Sequence, residues 1–194
     1  MGFSISWLAV KTDDLDQLFG IADVAPTTES DEWLESDCSG SALQDGWYFF
    51  QARGCDHPII SGDSLSKIST LGETIACSVE EHVMVSVAEG WNDGARSWTI
   101  THNAEEGMFD LSADGDLPDH YEAIKDDFVS QQNAEGGEDA DVDFIFDIPL
   151  QVAKKICGYK HDEGSPPWVP PGPVAFTQHG ASKATSAKPW WKFW

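Results

Sequence analysis

The most constraining feature of this sequence is a series of three β-prone runs that follow one another closely. The runs span residues 73–79, 82–91 and 96–102, and the last two are separated by Asn92-Asp93-Gly94. An Asn-Asp-Gly segment between two such runs is typical of a tight hairpin turn, because these residues tolerate the left-handed backbone that the turn requires. Strands joined by short turns pair antiparallel. The centre of the chain therefore predicts an antiparallel sheet.

Further strands and helices are predicted on both sides of this centre. Residues 3–10 and 47–50 are predicted as strands, and residues 108–111 as an edge strand. Four segments have apolar residues at helical spacing and a capping residue or proline near the start, namely 12–20, 63–71, 118–135 and 149–158. Residues 142–148 are predicted either as a last strand or as the lead-in to the final helix, and the polar segment 26–44 as a long loop. The predicted fold class is α+β, with a mainly antiparallel sheet of about five to seven strands and three or four helices.

The composition changes near Gly164, where a proline-rich segment begins. Five prolines lie between residues 166 and 173, and Ser, Ala, Thr and Lys follow up to Pro189. Proline fixes its own backbone dihedral and restricts the preceding residue, so we expect this segment to be extended. The sequence thus predicts an acidic α+β domain at residues 1–163 and a Pro/Trp-rich tail at residues 164–194, either extended or docked.

Charge is distributed very unevenly along the 194 residues. Residues 1–147 contain 32 acidic and 5 basic side chains, a formal charge of −27, whereas residues 148–194 carry +4. A body this negative repels nucleic-acid phosphates and anionic lipid, and it attracts basic proteins. We predict no membrane-spanning helix, because no apolar run approaches the ~20 residues that it needs, and no signal segment, because the first residues lack a basic flank before an apolar core. We expect a cytoplasmic protein with a basic protein partner, without direct contact with nucleic acid or membrane.

Three segments, residues 77–84, 135–149 and 158–162, resemble those of an uncharacterised family of small acidic bacterial cytoplasmic proteins. The first reads Cys-Ser-Val-Glu-Glu-His-Val-Met and the last reads Gly-Tyr-Lys-His-Asp. The resemblance covers residues 1–163 and leaves the tail outside. It implies a bacterial cytoplasmic context and carries no assigned activity.

Cys77 and His82 are the candidates for catalytic chemistry. A nucleophilic thiolate needs a nearby imidazole or another positive group that lowers the pKa of the thiol. On a single strand the two side chains point to opposite faces of the sheet, so we interpret Cys77 as a structural thiol. The scattered spacing of the four cysteines also favours free thiols over disulfides. A small hydrolase or transferase with a Cys/His or His/carboxylate site is the alternative hypothesis.

We predict neither a metal site nor a cofactor. Structural zinc sites use paired, closely spaced Cys or His residues, and Cys55 and His57 form the only near pair in the sequence. Residues 135–143 contain five acids, but the glycine and glutamate positions of an EF-hand are missing. No glycine-rich phosphate-binding fingerprint occurs. We interpret residues 135–143 as a solvated acidic loop.

The predicted partner-binding residues comprise two acidic groups and one aromatic segment. The acidic residues are Glu80 and Glu81 beside His82, and Glu138, Asp139 and Asp141 of the acidic loop. The aromatic residues are Trp190, Trp191, Phe193 and Trp194, which accompany two lysines. Aromatic side chains are costly to leave in water, so we expect this end to dock on the acidic body, on a partner or on a second copy of the chain.

These observations favour a non-enzymatic acidic protein that docks or neutralises a basic protein, for example a bacterial immunity protein against a toxin. The excess of acids over bases in residues 1–147 carries this hypothesis. A nucleic-acid mimic, in which acids are spaced along one face like phosphates, is a further alternative.

Overall fold

The fold is a single antiparallel sheet with two helices packed on each face. The structure, a computed structural model, describes residues 2–163 and 168–178. Within these ranges it contains nine strands and four α-helices. The predicted α+β class, the antiparallel pairing and the number of helices are confirmed, whereas the strand count of five to seven is wrong.

The nine strands and four helices follow one another along the chain with the following bounds. The strands are β1 (Ser4–Lys11), β2 (Val24–Ser30), β3 (Cys38–Ala42), β4 (Trp47–Arg53), β5 (Thr74–Glu80), β6 (Val85–Asn92), β7 (Ala95–Asn103), β8 (Leu111–Gly115) and β9 (Val174–Gln178). The helices are α1 (Leu15–Ala22), α2 (Gly62–Ile68), α3 (Tyr121–Ala134) and α4 (Asp147–Cys157). The strand order is β2-β9-β3-β4-β1-β5-β6-β7-β8. No helix in the described ranges is both long enough and apolar enough to cross a membrane.

Strand β1 lies at the centre of the sheet and is buried on both faces. Trp7 and Leu8 are each 0% exposed although they are neighbours in sequence. Successive side chains of a strand point to opposite faces, so Trp7 joins the core beneath α3 and α4, and Leu8 joins the core beneath α1 and α2. The central strand therefore separates two apolar cores, one on each face of the sheet.

Two of the strands that the sequence did not predict lie within or beside the segment 26–44. Strand β3 reads Cys-Ser-Gly-Ser-Ala and has none of the large apolar residues that indicate a strand. Its small side chains are required by close packing, because a Cβ atom at Gly40 would lie 2.6 Å from the Phe49 carbonyl oxygen and 2.9 Å from the Phe176 ring. Strand β2 contains Pro26, which a strand at the edge of a sheet tolerates. The predicted loop is therefore largely part of the sheet.

The remaining unpredicted strand, β9, lies in the segment that the sequence predicts as a tail. It pairs antiparallel with β2 on one side and with β3 on the other. The buried Phe176 ring contacts Phe19 and Phe50, with centroid distances of 5.3 and 5.2 Å. The predicted boundary at residue 164 therefore does not end the sheet. The aromatic end of the predicted tail lies outside the described residues.

We expect a chain that ends at Glu163 to lose at least about 3 kcal/mol of unfolding free energy, the scale of removing one buried Phe. Such a chain lacks β9, so β2 loses its partner in the sheet and the Phe50 ring is uncovered. A chain that ends at Gln178 keeps β9 and is the matched control. Urea unfolding followed by circular dichroism measures both. Equal unfolding free energies would contradict the structural role of β9.

Candidate partner-binding site

A cavity of about 550 Å³ opens over β1 and β4, on the sheet face that carries α3 and α4. Helix α4 packs mainly on β5, β6 and β7, so loops and not a helix cover this part of β1 and β4. Ile5 of β1 and Gln51 of β4 lie at the base of the cavity. Its walls come from the loop between β2 and β3, from the segment that follows α4, and from Trp168. The cavity thus exists because helices cover only part of this face.

The buried carboxylate of Asp31 shapes the loop between β2 and β3. It accepts hydrogen bonds from the backbone N–H of Glu35 at 2.6 Å and of Ser36 at 3.2 Å, and from the Ser36 hydroxyl. The Arg53 guanidinium donates from β4 to the carbonyl oxygens of Leu34 at 3.0 Å and Glu35 at 2.6 Å. The loop is therefore held by an anion within it and by a cation from the neighbouring strand.

Trp33 stands in solvent between these anchors. Its exposure of 85% is the highest among the large hydrophobic residues that the structure describes. The next residue, Leu34, has a φ of 52°, a left-handed conformation that costs a non-glycine residue about 1 kcal/mol. An exposed indole on a strained, anchored loop contributes little to the core. Such an arrangement is typical of a residue that contacts a ligand or partner.

The inner wall of the cavity is aromatic. Trp168 and Tyr159 both line it, and their ring centroids are 5.5 Å apart. Both rings also pack on Phe49, at 5.4 and 4.0 Å. The Tyr159 hydroxyl donates a hydrogen bond to Oε1 of Gln51 at 3.3 Å, so its polar tip has a partner within the protein. The two rings therefore offer the cavity an apolar surface in a fixed position.

His161 places an unpartnered polar atom beside this aromatic wall. Its side chain is 1% exposed and its ring packs edge-on against Phe3, with centroids 5.2 Å apart. Nε2 lies 3.3 Å from Oε1 of Glu81, whose Oε2 accepts the Phe3 backbone N–H at 2.8 Å. Burial lowers the pKa of His161 from its usual 6.5 in spite of the nearby Asp162 and Glu81 carboxylates. The ring is therefore neutral at pH 7, and within the described part of the chain its Nδ1 has no hydrogen-bond partner.

The charged residues that line the cavity are acidic. Glu32 is exposed at the rim, and Glu163 forms an ion pair with Lys154, which lies outside the lining. No lysine or arginine of residues 2–163 and 168–178 lines the cavity. With His161 neutral, the lining has a negative formal charge.

The two predicted catalytic candidates, Cys77 and His82, are not brought together. Cys77 is 1% exposed on β5, paired in register with Trp7, and burial raises its pKa well above the usual value. His82 lies in the turn after β5 with 60% of its side chain exposed, and its Nδ1 is 2.5 Å from the Glu80 carboxylate. A buried, protonated thiol is a poor nucleophile. This arrangement favours the structural interpretation of Cys77.

The predicted acidic recognition residues fall into two groups with different surroundings. Glu80 and Glu81 are engaged within the protein: hydrogen bonds from Ser4 and His82 lower the pKa of Glu80 to about 2, and Glu81 holds His161 as described above. Glu138, Asp139 and Asp141 are exposed on the acidic loop before α4. The acidic loop is therefore the group that is available to a partner.

One buried amide orders the acidic loop. Gln132 of α3 is 0% exposed, and its Nε2 donates to the carbonyl oxygens of Gly137 at 2.8 Å and Val142 at 3.0 Å. Its Oε1 accepts the backbone N–H of Phe144 at 2.7 Å. The segment 142–148 is accordingly a lead-in to α4, one of the two predicted alternatives. The acidic side chains project from a loop with a defined backbone.

The buried ring of His102 joins the acidic loop to the connection between β7 and β8. Its Nδ1 lies 2.6 Å from the Asp110 carbonyl oxygen, and its Nε2 lies 2.9 Å from Oδ2 of Asp143. Both partners accept, so both ring nitrogens must donate and the ring is an imidazolium. Burial lowers the pKa of His102, but the hydrogen bonds and charges of Asp143 and Asp110 outweigh it and raise the pKa above the usual 6.5.

This junction brings two acidic segments into one surface. Residues 97–153 contain 15 acidic side chains and a single base, Lys125. Lys125 is paired with Glu122 at 2.6 Å on α3. We call residues 97–153 the acidic half. Among the described residues, its acids are compensated internally only by His102, by Lys125 and by Lys160, which pairs with Asp147.

No group of three or more His, Cys, Asp or Glu side chains in the described ranges is placed to hold a metal ion. Trp190, Trp191, Phe193 and Trp194, the predicted aromatic docking residues, lie outside those ranges. Comparison of the chain with protein-family models, curated proteins and solved structures found no match. A functional assignment therefore depends on the geometry of the site.

Sequence reasoning missed the cavity, because its residues belong to no motif. Trp33, His161 and Trp168 come from three separate parts of the chain and meet only when the sheet forms. The available signal was Trp33 itself, a large aromatic residue in an otherwise polar and acidic segment. Such a residue is unusual in the long polar loop that the sequence predicts for residues 26–44.

We expect the contact between His102 and Asp143 to stabilise the fold most at low pH. Since folding raises the pKa of His102, this contribution is complete below about pH 6.5 and is lost as the pH rises through the folded-state value. His102→Gln should therefore lower the unfolding free energy by about 3 kcal/mol near pH 6, and by less at alkaline pH. Urea unfolding across this pH range measures the difference. His82→Gln, at an exposed histidine, is the control, and a pH-independent difference for His102→Gln would contradict the argument.

We expect Cys55 to react first with a thiol reagent such as dithionitrobenzoate. It is the half-buried cysteine, whereas Cys38, Cys77 and Cys157 are buried, and burial raises the pKa of Cys38 and Cys157 to about 12. Cys55→Ser should remove the fast phase of modification, and Cys77→Ser should leave it unchanged. Fast modification of Cys77 in the folded protein would revive the alternative of a Cys-dependent enzyme.

Proposed function

We propose that this chain is a non-enzymatic protein of the bacterial cytoplasm that binds a basic protein partner through its acidic half, as an immunity protein binds the toxin that it neutralises. The observation that carries the proposal is the ratio of 15 acids to one base over residues 97–153. Opposite charges across an interface accelerate association and exclude partners of the wrong sign. A basic protein is the partner class that such a surface selects.

Several basic side chains of the body do not offset this charge, because they are engaged in internal contacts. Lys160 is 5% exposed and pairs with Asp147 at 3.0 Å and Asp162 at 2.8 Å. Arg96 pairs with Glu89 at 2.7 Å, and Arg53 holds loop carbonyl oxygens. The acids of the acidic loop are left facing water. An external cation is therefore the partner that these carboxylates lack.

The rigidity of the acidic loop also supports binding. Gln132 fixes its backbone from α3, and His102 fixes Asp143 at its C-terminal end. A surface that is already ordered loses little conformational entropy on association. The exposed acids Glu138, Asp139 and Asp141 are thus presented in a defined arrangement. The alternative of a Cys/His enzyme has no comparable support, because Cys77 is buried away from His82.

We expect the triple variant Glu138→Gln, Asp139→Asn, Asp141→Asn to bind the partner about tenfold more weakly, mainly through a slower on-rate. The variant removes three negative charges that attract a basic partner, while the hydrogen bonds from Gln132 to the loop backbone remain. The matched control is Asp13→Asn, Glu29→Gln, Asp45→Asn, which removes the same charge from exposed positions outside the acidic half. The partner is captured from bacterial extract on the wild-type chain and its binding is then measured by surface plasmon resonance.

The salt dependence of the same measurement provides the second criterion. Charges on opposed surfaces are screened over ~8 Å at physiological ionic strength, so the on-rate of the wild type should fall as salt rises. The acidic-loop variant should show a shallower dependence, and the control variant should resemble the wild type. Equal losses for the two triple variants, or an on-rate that salt does not change, would contradict the proposal.

A further inference from the structure

The cavity over β1 and β4 has features that a uniformly acidic surface does not explain. Its lining combines aromatic rings, two carboxylates and the buried His161, whose Nδ1 has no hydrogen-bond partner in the described part of the chain. We propose that this cavity is a socket for an arginine side chain of the basic partner. The inference rests on the proposed function and adds a second contact, formed by residues outside the acidic half.

The charge of the lining selects a cation. Glu32 and Glu163 are the carboxylates of the cavity, and the described lining contains no lysine or arginine. Glu163 has Lys154 as a partner, whereas Glu32 lies exposed at the rim, where it can receive a positive group from outside. A guanidinium pairs with a carboxylate through two parallel hydrogen bonds, which gives direction as well as attraction. The rim therefore matches an arginine head group.

The buried nitrogen of His161 selects a hydrogen-bond donor. Its Nε2 faces Glu81, so the neutral ring has its proton on that side and Nδ1 is an acceptor. Buried acceptors without a donor are rare in folded proteins. A guanidinium has five N–H groups and no acceptor, whereas an aliphatic side chain offers no donor at all. A ligand with donors directed inward would give this nitrogen the partner that residues 2–163 and 168–178 do not supply.

The aromatic rings favour arginine over lysine. Trp33 is 85% exposed on one side of the cavity, and Trp168 and Tyr159 form its inner wall. The planar guanidinium stacks on aromatic faces and is more weakly hydrated than an ammonium group. The methylene stem of arginine can cover the remaining ring surface. The cavity volume of about 550 Å³ leaves room for residues that adjoin the arginine in its own chain.

The loop that carries Trp33 is built before any ligand arrives. Asp31 receives three hydrogen bonds from Glu35 and Ser36, and Arg53 donates two to Leu34 and Glu35. These contacts keep the indole of Trp33 exposed to solvent, although its surface is largely apolar. Preorganisation of this kind reduces the entropy lost on binding. Asp31 and Arg53 therefore act as positioning residues for Trp33.

The probe for the socket is N-acetyl-arginine methylamide, and its neutral comparator is the citrulline analogue of nearly the same shape. Nuclear magnetic resonance titration of the full chain measures the affinity and locates the shifted residues. We expect the arginine derivative to bind about tenfold more tightly than the citrulline derivative, with shifts at Trp33, His161 and Trp168. Equal affinities of the two compounds, or absence of binding, would overturn the inference.

Two single variants and one control define the site. Trp33→Ala and Glu32→Gln should each weaken the arginine derivative about fivefold or more, because one removes the stacking surface and the other the rim carboxylate. Glu138→Gln, on the acidic loop, should have no effect. Urea unfolding verifies that Trp33→Ala remains folded, as its exposure predicts. If Glu138→Gln abolished binding of the arginine derivative and the two cavity variants did not, the inference would also be overturned.

A chain that ends at Gln178 tests a different occupant, the aromatic and basic end of the same protein. Binding of the arginine derivative that is about tenfold tighter in this shortened chain would mean that residues 179–194 occupy the cavity, and the inference would fall. Equal binding in the two chains supports the socket.

If Trp33→Ala leaves partner affinity unchanged while the acidic-loop triple variant weakens it, the socket fails and the proposed function stands. If Trp33→Ala weakens partner binding while the acidic-loop triple variant does not, the socket stands and the proposed role of the acidic half fails.

Discussion

The burial of β1 on both faces is the constraint on which the rest of this structure depends. Trp7 fills the core beneath α4 and Leu8 fills the core beneath α1 and α2, so the strand cannot move without loss of both cores. Its start fixes Phe3 and Ile5 at the edge and base of the cavity. Because α4 packs mainly on β5 to β7, loops and aromatic residues close much of the face over β1 and β4. The cavity is a consequence of that incomplete cover.

The placement of charge follows a second constraint, since a chain with 34 acids and 11 bases cannot pair most of its carboxylates internally. A buried charge without a partner destabilises the fold, and the buried Lys160 is accordingly paired with two carboxylates. Arg53 is used to hold the loop that presents Trp33. The uncompensated acids are concentrated in the acidic half. Several of the positive charges are therefore engaged within the fold, and the excess negative charge is left at the surface.

The parts of the fold that the sequence predicted are those with strong local signals. The hairpin of β6 and β7 turns at Asp93 and Gly94, both with positive φ, as the turn residues indicate. Strands β3 and β9 have no comparable signal, because they become strands through tertiary pairing: β3 is small enough to fit beneath Phe176, and β9 follows a run of prolines. The candidate site was harder to predict. Cys77 is buried on β5 and His82 lies in the exposed turn after it, so the turn separates them and not the strand alternation that the sequence argument used. The meeting of Trp33, His161 and Trp168 depends on the complete topology.

The central claim is that the acidic half is the surface that meets a basic partner. Zero-length carboxylate–amine cross-linking of the partner complex, followed by mass-spectrometric mapping, tests it most directly because it reports which carboxylates lie beside a partner lysine. The account predicts cross-links at Glu138, Asp139 and Asp141, and few at exposed acids elsewhere such as Asp13 and Glu29. Cross-links that are distributed evenly over all exposed acids, or concentrated at Asp13 and Glu29, would contradict the account.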